Sequence, residues 1–252
     1  MKTSGLISRR RAIAVGLASV GGILLARYPK DLPPTYGSLL RMGDNLTYAA
    51  HRALLPGQAL VKEYGVHDLT SFPATGTTNP GAGKKTELGD EYRRLLTGGF
   101  AGYRLTVEGR VAAPRTFSLA ELKQLHARTQ ITRHTCEEGW TAIGQWTGVP
   151  LGIVLDAAGM QPDARFVVFY SYDDWVDCID LLDALHPQTI VAYGMNGRDL
   201  PVPHGAPVRL RVERQMGYKS MKYVRRIVVA DKFDDGGMKG NIQNGWAWYT
   251  GI

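Results

Sequence analysis

The feature that most limits the fold is a succession of short segments that begins near Phe100. They are apolar or have a two-residue hydrophobic period, and turn signals close several of them. Tyr103-Arg104-Leu105-Thr106-Val107-Glu108 alternates and stops at Gly109. Side chains of a strand point to opposite faces in turn, so this pattern predicts a half-buried strand. Thr129 to Thr135 reads as another strand, and Arg165 to Tyr172 as a strongly apolar one. Ile190 to Met195 is followed by Asn196-Gly197, a tight-turn signal. Val208 to Glu213 places aliphatic residues on one face and charges on the other, and Tyr223 to Ala230 is the last strand. Only short helices intervene. Ser118-Leu119-Ala120-Glu121 is a capping box that opens one helix to about Ala127, and Gly148-Val149-Pro150 leads into a second, Leu151 to Ala158, which Gly159 ends. The sum predicts an α+β, β-dominated single domain with no βαβ run of the dinucleotide-binding kind.

The rest of the chain is organised around this block. Residues 31–99 are rich in Gly, Pro and Thr, as in the stretch from Phe72 to Pro80. They predict a loop-rich N-terminal extension with short helices, wrapped on the domain. Loops of that length often line a site. The expected divisions are 1–30, 31–99, 100–232 for the domain, and a Gly- and aromatic-rich tail over 233–252 ending Trp246-Ala247-Trp248-Tyr249. The ordinary reading of those tail aromatics is packing on the core; contact with a partner or a membrane is the other.

The net charge of +7 is concentrated at the start. Residues 1–30 hold Lys2, Arg9, Arg10, Arg11, Arg27 and Lys30 and no acid, and from Asp31 onward 24 basic residues face 23 acidic ones. A near-neutral body gives no field for nucleic acid, which is not an expected partner. The basic cluster precedes a fifteen-residue apolar run, Ala12 to Ala26, shorter than the ~20 residues of a bilayer span. Ser8-Arg9-Arg10 resembles a twin-arginine export signal, although Arg11-Ala12-Ile13-Ala14 stands where Phe-Leu-Lys is usual. The expectation is a periplasmic or exported protein. No clear cleavage site follows, so membrane anchoring by this segment stays open beside a buried N-terminal helix.

Two segments carry chemistry. Cys136, one of only two cysteines, sits at a strand end inside His134-Thr135-Cys136-Glu137-Glu138-Gly139-Trp140. A polar, Gly-containing setting is unusual for an inert buried thiol, and nearby cations such as Arg133 favour the thiolate. The residues alone leave three readings: an inert cysteine, a metal ligand or a nucleophile paired with His134 or His204. The second segment, His204 to Arg226, holds seven Lys or Arg and a single acid, Glu213. Arg209, Arg211, Lys219 and Lys222 accompany Gly217 and Ser220 there, a combination that binds phosphate through forked guanidinium bonds, point charge and backbone N–H groups. A solvated basic face is the alternative. Asp173, Asp174, Asp177, Asp180 and Asp183 only loosely resemble a calcium loop and read instead as a solvated strand-to-helix edge. Cys178, between apolar residues, reads as structural.

Taken together, the single Cys136 loop, His204-Gly205-Ala206-Pro207-x-Arg209 and Gly217-x-Lys219-Ser220-x-Lys222 resemble the molybdopterin domain of the sulfite oxidase family, in its short exported bacterial form without haem. Trp146-x-Gly148-Val149-Pro150-Leu151, Ala184-Leu185-His186-Pro187-Gln188-Thr189 and Tyr193-Gly194-Met195-Asn196-Gly197 extend the resemblance, in order, from about Phe100 to Lys232. It implies a molybdenum–molybdopterin cofactor whose metal is held by Cys136. His204, Arg209, Ser220 and Lys222 would hold the pterin and its phosphate, helped by Gly217 and Lys219, with a further contact at Ser171. Many members carry Phe-Arg-x-Asn before the domain, where this chain has Phe72-Pro73-Ala74-Thr75, with Asn79 nearby. Loss of that arginine turns the expectation away from sulfite, although Arg133 could supply a cation. The twenty residues after Lys232 are too few for the immunoglobulin-like dimerisation domain of longer members, so dimerisation through it is not expected.

The implied activity is oxygen-atom transfer on a small-molecule substrate, as sulfoxide or N-oxide reduction or as sulfite-type oxidation. Two cysteines cannot ligate an iron–sulfur cluster and no C-x-x-C-H haem motif is present, so electrons must pass through an external redox partner, a cytochrome in soluble or membrane-bound form. The rivals are a non-catalytic phosphate- or pterin-ligand binding module and a Cys136-dependent hydrolase using His134 or His204.

Overall fold

The structure, a computed structural model, describes residues 39–55, 57, 59–83, 85–234, 236, 239–240 and 244–252. The expected leader, residues 1–30, lies outside them. Among the described residues no helix is long and apolar enough to cross a membrane. The chain divides into two compact units, 1–56 and 57–252. In the first, α1 (Leu39–Leu54) is a sixteen-residue helix with Tyr48 and Ala49 buried and Met42 and Leu46 exposed. That corrects the expectation of short helices only: no proline interrupts 39–54, and the Gly–Pro punctuation that suggested loop lies further along, over 72–83.

The second unit is built from two five-stranded sheets. One contains β1 (Arg104–Gly109), β2 (Arg115–Ser118), β5 (Phe166–Ser171), β6 (Val176–Asp180) and β10 (Val224–Ala230), in the order β2-β1-β10-β5-β6. All its pairs are antiparallel except β1 with β10, where Thr106 faces Arg226 and Gly109 faces Val229. Gly109 has φ +91°, and a Cβ there would lie 2.2 Å from the Val229 carbonyl oxygen, so only glycine lets β1 end against β10. The other sheet runs β3 (Arg128–Thr135), β4 (Thr141–Pro150), β7 (Ile190–Met195) and β8 (Arg198–Asp199), with β9 (Arg209–Arg211) also paired to β7. Leu105, Val107, Phe117, Val167, Phe169, Ile227 and Val229 carry the core from the first sheet. Tyr92 of α2 (Glu87–Thr97) and Leu151, Val154 and Leu155 of α4 (Leu151–Ala157) cover it. The capping box forms as expected at α3 (Leu119–Gln124): Ser118 Oγ accepts from Glu121 N at 3.1 Å, and Glu121 Oε2 accepts from Ser118 N at 2.7 Å.

The solvated basic face, the alternative to a phosphate-binding pocket, is excluded at β9: Arg209 and Arg211 are buried, as are the aliphatics that alternate with them. The expectation of a solvated edge over the aspartates of 173–183 holds at the exposed Asp174 and is overturned further along. Asp177 and Asp180 lie in a fully buried β6, Asp180 Oδ1 accepts from Asp183 N to cap α5 (Leu181–Ala184), and Asp183 is buried beside Gln215.

Residues 60–77 lie along the second sheet. Tyr64 N donates to Ile131 O at 2.9 Å, Thr70 N to Ile143 O at 3.1 Å, and Val61 N to Gln188 Oε1 at 2.8 Å. This part of the extension does wrap the domain, and it delivers 72–77 to one end of β3 and β4.

Candidate active site

At that end a cavity of about 290 Å³ opens, with Cys136 in its wall. The turn after β3 holds the cysteine: Cys136 N donates to Trp140 O at 2.9 Å, and Gly139 N donates to Cys136 O at 3.1 Å. The Sγ contacts Glu137 Oε2 at 3.5 Å. Burial, aided by Glu137 and Glu138, pushes the thiol up to about 11. The cationic setting expected for it is absent because Arg133 is exposed while its neighbour His134 is buried, on the opposite face of the strand.

The cations gather on other elements. Arg209 is buried; its Nη1 donates to His204 O at 3.0 Å and its Nη2 to Ser220 O at 2.9 Å. Its Nε has no hydrogen-bond partner, and no carboxylate pairs with the side chain among the described residues. Burial and the neighbouring Arg211 lower it to about 9. Lys222 Nζ donates to Thr75 O at 2.8 Å and Pro203 O at 3.2 Å, and also to Thr77 O. Burial and Arg209 bring Lys222 down to about 8, and burial with Arg209 and Lys222 brings His204 down to about 4. Arg211, in contrast, has a carboxylate partner. Its Nε and Nη2 donate to the Glu213 carboxylate at 3.0 and 2.7 Å, and its Nη1 donates to His134 Nδ1 at 2.6 Å. Burial and the two arginines hold His134 far below the usual histidine range, so the ring is neutral, with its proton on Nε2.

Of the eight residues expected at the site, Cys136, His204, Arg209, Gly217, Ser220 and Lys222 line this cavity. Gly217 is fitted by necessity, since a Cβ there would lie 2.4 Å from His134 Nε2. Two do not line it. Lys219 Nζ is buried against Asp177 Oδ1 at 2.7 Å and Cys178 O at 3.0 Å, a structural ion pair. The Ser171 hydroxyl is engaged in its own turn, accepting from Trp175 N at 2.9 Å, donating to Trp175 O at 3.0 Å and also bonding Asp173. Asp173 and Trp175 line the cavity instead. Asn79 caps a short 3₁₀ turn and is not in the wall.

The wall also contains residues that sequence reasoning did not assign. Phe72 packs its ring 5.2–5.6 Å from those of His134, Trp140, Trp146 and His204. Tyr218 and Trp246 close another side. Trp140 had a signal in its place four residues after Cys136, in the 134–140 stretch, whereas Trp246 had none, because only tertiary structure brings the tail here. Nothing described supports the hydrolase reading: the hydrogen-bond partner of the Cys136 thiol is Glu137, and His134 Nδ1 accepts from Arg211.

Comparison with known proteins decides the family. The profile described as "Oxidoreductase molybdopterin binding domain" matches residues 97–238. The chain belongs to that family. It is 38% identical over 151 residues to the "Putative protein-methionine-sulfoxide reductase subunit YedZ1" of Azospira oryzae, across 60% of this chain and 56% of that protein. It is 31% identical over 166 residues to the "Protein-methionine-sulfoxide reductase catalytic subunit MsrP" of Xanthomonas campestris pv. campestris, across 60% of this chain and 52% of that one. The chain thus spans about half the length of the curated relatives it matches. In fold it resembles the crystal structure of the sulfane dehydrogenase SoxCD from Paracoccus pantotrophus, with a TM-score of 0.50 and 24% identity, covering 52% of this chain and 39% of that one. The α+β molybdopterin-binding architecture expected of the sequence is therefore the one present. The family match begins after residue 77 and ends before Trp246, so the cavity is completed by chain outside it.

Proposed function

We propose that the cavity holds a molybdenum–molybdopterin cofactor and that the chain reduces neutral sulfoxides to thioethers, with N-oxides as a second neutral class. The observation that carries this is how charge is divided in the wall. Arg209, buried with an orphaned Nε and no carboxylate partner among the described residues, stands with Lys222 and His204, a setting that fits an anion; Asp173 in the same wall acts on Lys222 without pairing with Arg209. The residues around Cys136 are of another kind: Glu137, Glu138 and Trp140, with Phe72 packed on Trp140. In this reading Arg209, Lys222, His204 and Ser220 hold the pterin and its phosphate, Gly217 lets backbone approach it, and the Cys136 sulfur is the molybdenum ligand. A soft sulfur donor suits such a metal. When bound, the cofactor supplies two-electron oxygen-atom transfer, so that one sulfoxide, two protons and two electrons give one thioether and one water. The carboxylates of Glu137 and Glu138 repel an anion such as sulfite from the cysteine, while an uncharged sulfoxide meets no such barrier. The aromatic walls bind its apolar part and exclude water.

The names of the relatives support the same chemistry, and the word "subunit" in them supports electron delivery by a separate carrier, such as a cytochrome. The leader, read as an export signal, adds a periplasmic or membrane-anchored location to the proposal. The test is molybdenum and pterin content of the full chain expressed with its own leader. It is followed by turnover of sulfoxides with reduced viologen and of sulfite with ferricyanide. Metal-free, pterin-free protein would favour the ligand-binding rival, and faster sulfite turnover would reverse the direction assigned.

A further inference from the structure

Trp246 is set at the cavity by an anchored tail. Residues 247–252 run beside 214–218: Met216 N donates to Thr250 O at 3.0 Å, Ile252 N to Arg214 O at 3.0 Å, and the Tyr218 hydroxyl to Ala247 O at 2.8 Å. Trp248 and Tyr249 are buried at 3% and 1% exposure and lock the strip in place. Trp246 differs from both. It is 37% exposed, its indole stacks on the Tyr218 ring at 5.5 Å and 29°, and both rings line the cavity that contains Cys136. A large aromatic surface that lines a cavity beside a hydrogen-bonded strip is a contact surface for an apolar group. Gly217, next to Tyr218, belongs to the same wall, so the stack adjoins the backbone assigned to the pterin.

We propose that the Trp246–Tyr218 stack selects sulfoxides that carry a bulky apolar substituent, such as methionyl or aryl sulfoxides, over dimethyl sulfoxide. The inference rests on the sulfoxide-reducing function proposed above and names the determinant of its substrate preference. The stack binds the substituent and takes no part in the redox step.

The experiment compares the loaded wild-type chain with Trp246→Ala and Trp246→Phe. For each, kcat/KM is measured for methyl phenyl sulfoxide and for dimethyl sulfoxide with reduced viologen, and molybdenum and pterin content are determined alongside. The Ala variant is expected to lose about tenfold of the preference for the aryl substrate, through KM, with cofactor content kept. The Phe variant restores most of that preference. Calorimetric titration with methyl phenyl sulfide reads the same wall without turnover, and binding should weaken about tenfold in the Ala variant. An unchanged substrate ratio with unchanged sulfide binding would overturn the proposal, as would a loss confined to kcat. If the wild type reduced no sulfoxide at all, the proposed function would fall, and sulfide binding would still decide whether Trp246 forms an apolar wall.

Discussion

Single atoms decide much at this site. Cys136→Ser replaces a soft donor with a weak one while leaving the distant cationic group intact. Turnover should fall by more than about a hundredfold with pterin still bound, as fluorescence of the oxidised pterin would report. Gly217→Ala would put a methyl 2.4 Å from His134 Nε2 and 3.2 Å from Thr135 O. Overpacking of that kind costs about 1–3 kcal/mol, and thermal unfolding of the variant should show it. His204 gives a pH effect of definite sign. Its folded value of about 4 lies below the ordinary 6.5, so between these values the unfolded chain binds a proton that the folded chain does not. Its contribution is complete above about pH 6.5, falls as pH drops towards 4, and is flat below. Urea unfolding at pH 4.5, 5.5 and 7 should show this slope, shallower in His204→Gln.

Among the elements, the strand over Ile190–Met195 and the capped helix after Ser118 were legible because local pattern and burial coincide. β4 and β6 were not. The buried face of β4 carries Ala142, Gly144, Trp146 and Gly148, so hydrophobic alternation is muted where the packing is closest. In β6 the acids Asp177 and Asp180 are interior, and a sequence shows charge without its partner. The partner of Asp177 is Lys219, from a 3₁₀ turn at the far side of the basic segment. Lys219→Met should therefore destabilise the fold by about 3–5 kcal/mol, because it strands a buried carboxylate. Adding Asp177→Asn should recover part of that loss, and a double-mutant cycle from urea unfolding measures the coupling.

At the scale of the whole molecule, every described residue of the cavity wall lies within 57–252. A chain beginning at residue 57 should keep the pterin content of the full chain, measured per protein. The motifs made six of the eight expected wall residues readable, since each is fixed by its own turn or strand. The rest of the wall is a product of long-range assembly, in which Phe72 comes from before the family domain and Trp246 from after it. The pairing of β1 with β10 sets a timetable for all of this. The earliest strand of the domain waits for the latest one, and the chain as far as Ala230 must leave the ribosome before the sheet can close. The Arg209–Lys222 stretch is itself made late, just ahead of that closing strand. If that stretch holds the pterin as proposed, a chain not yet synthesised past Ala230 has no grip on it, and loading follows completion of the domain.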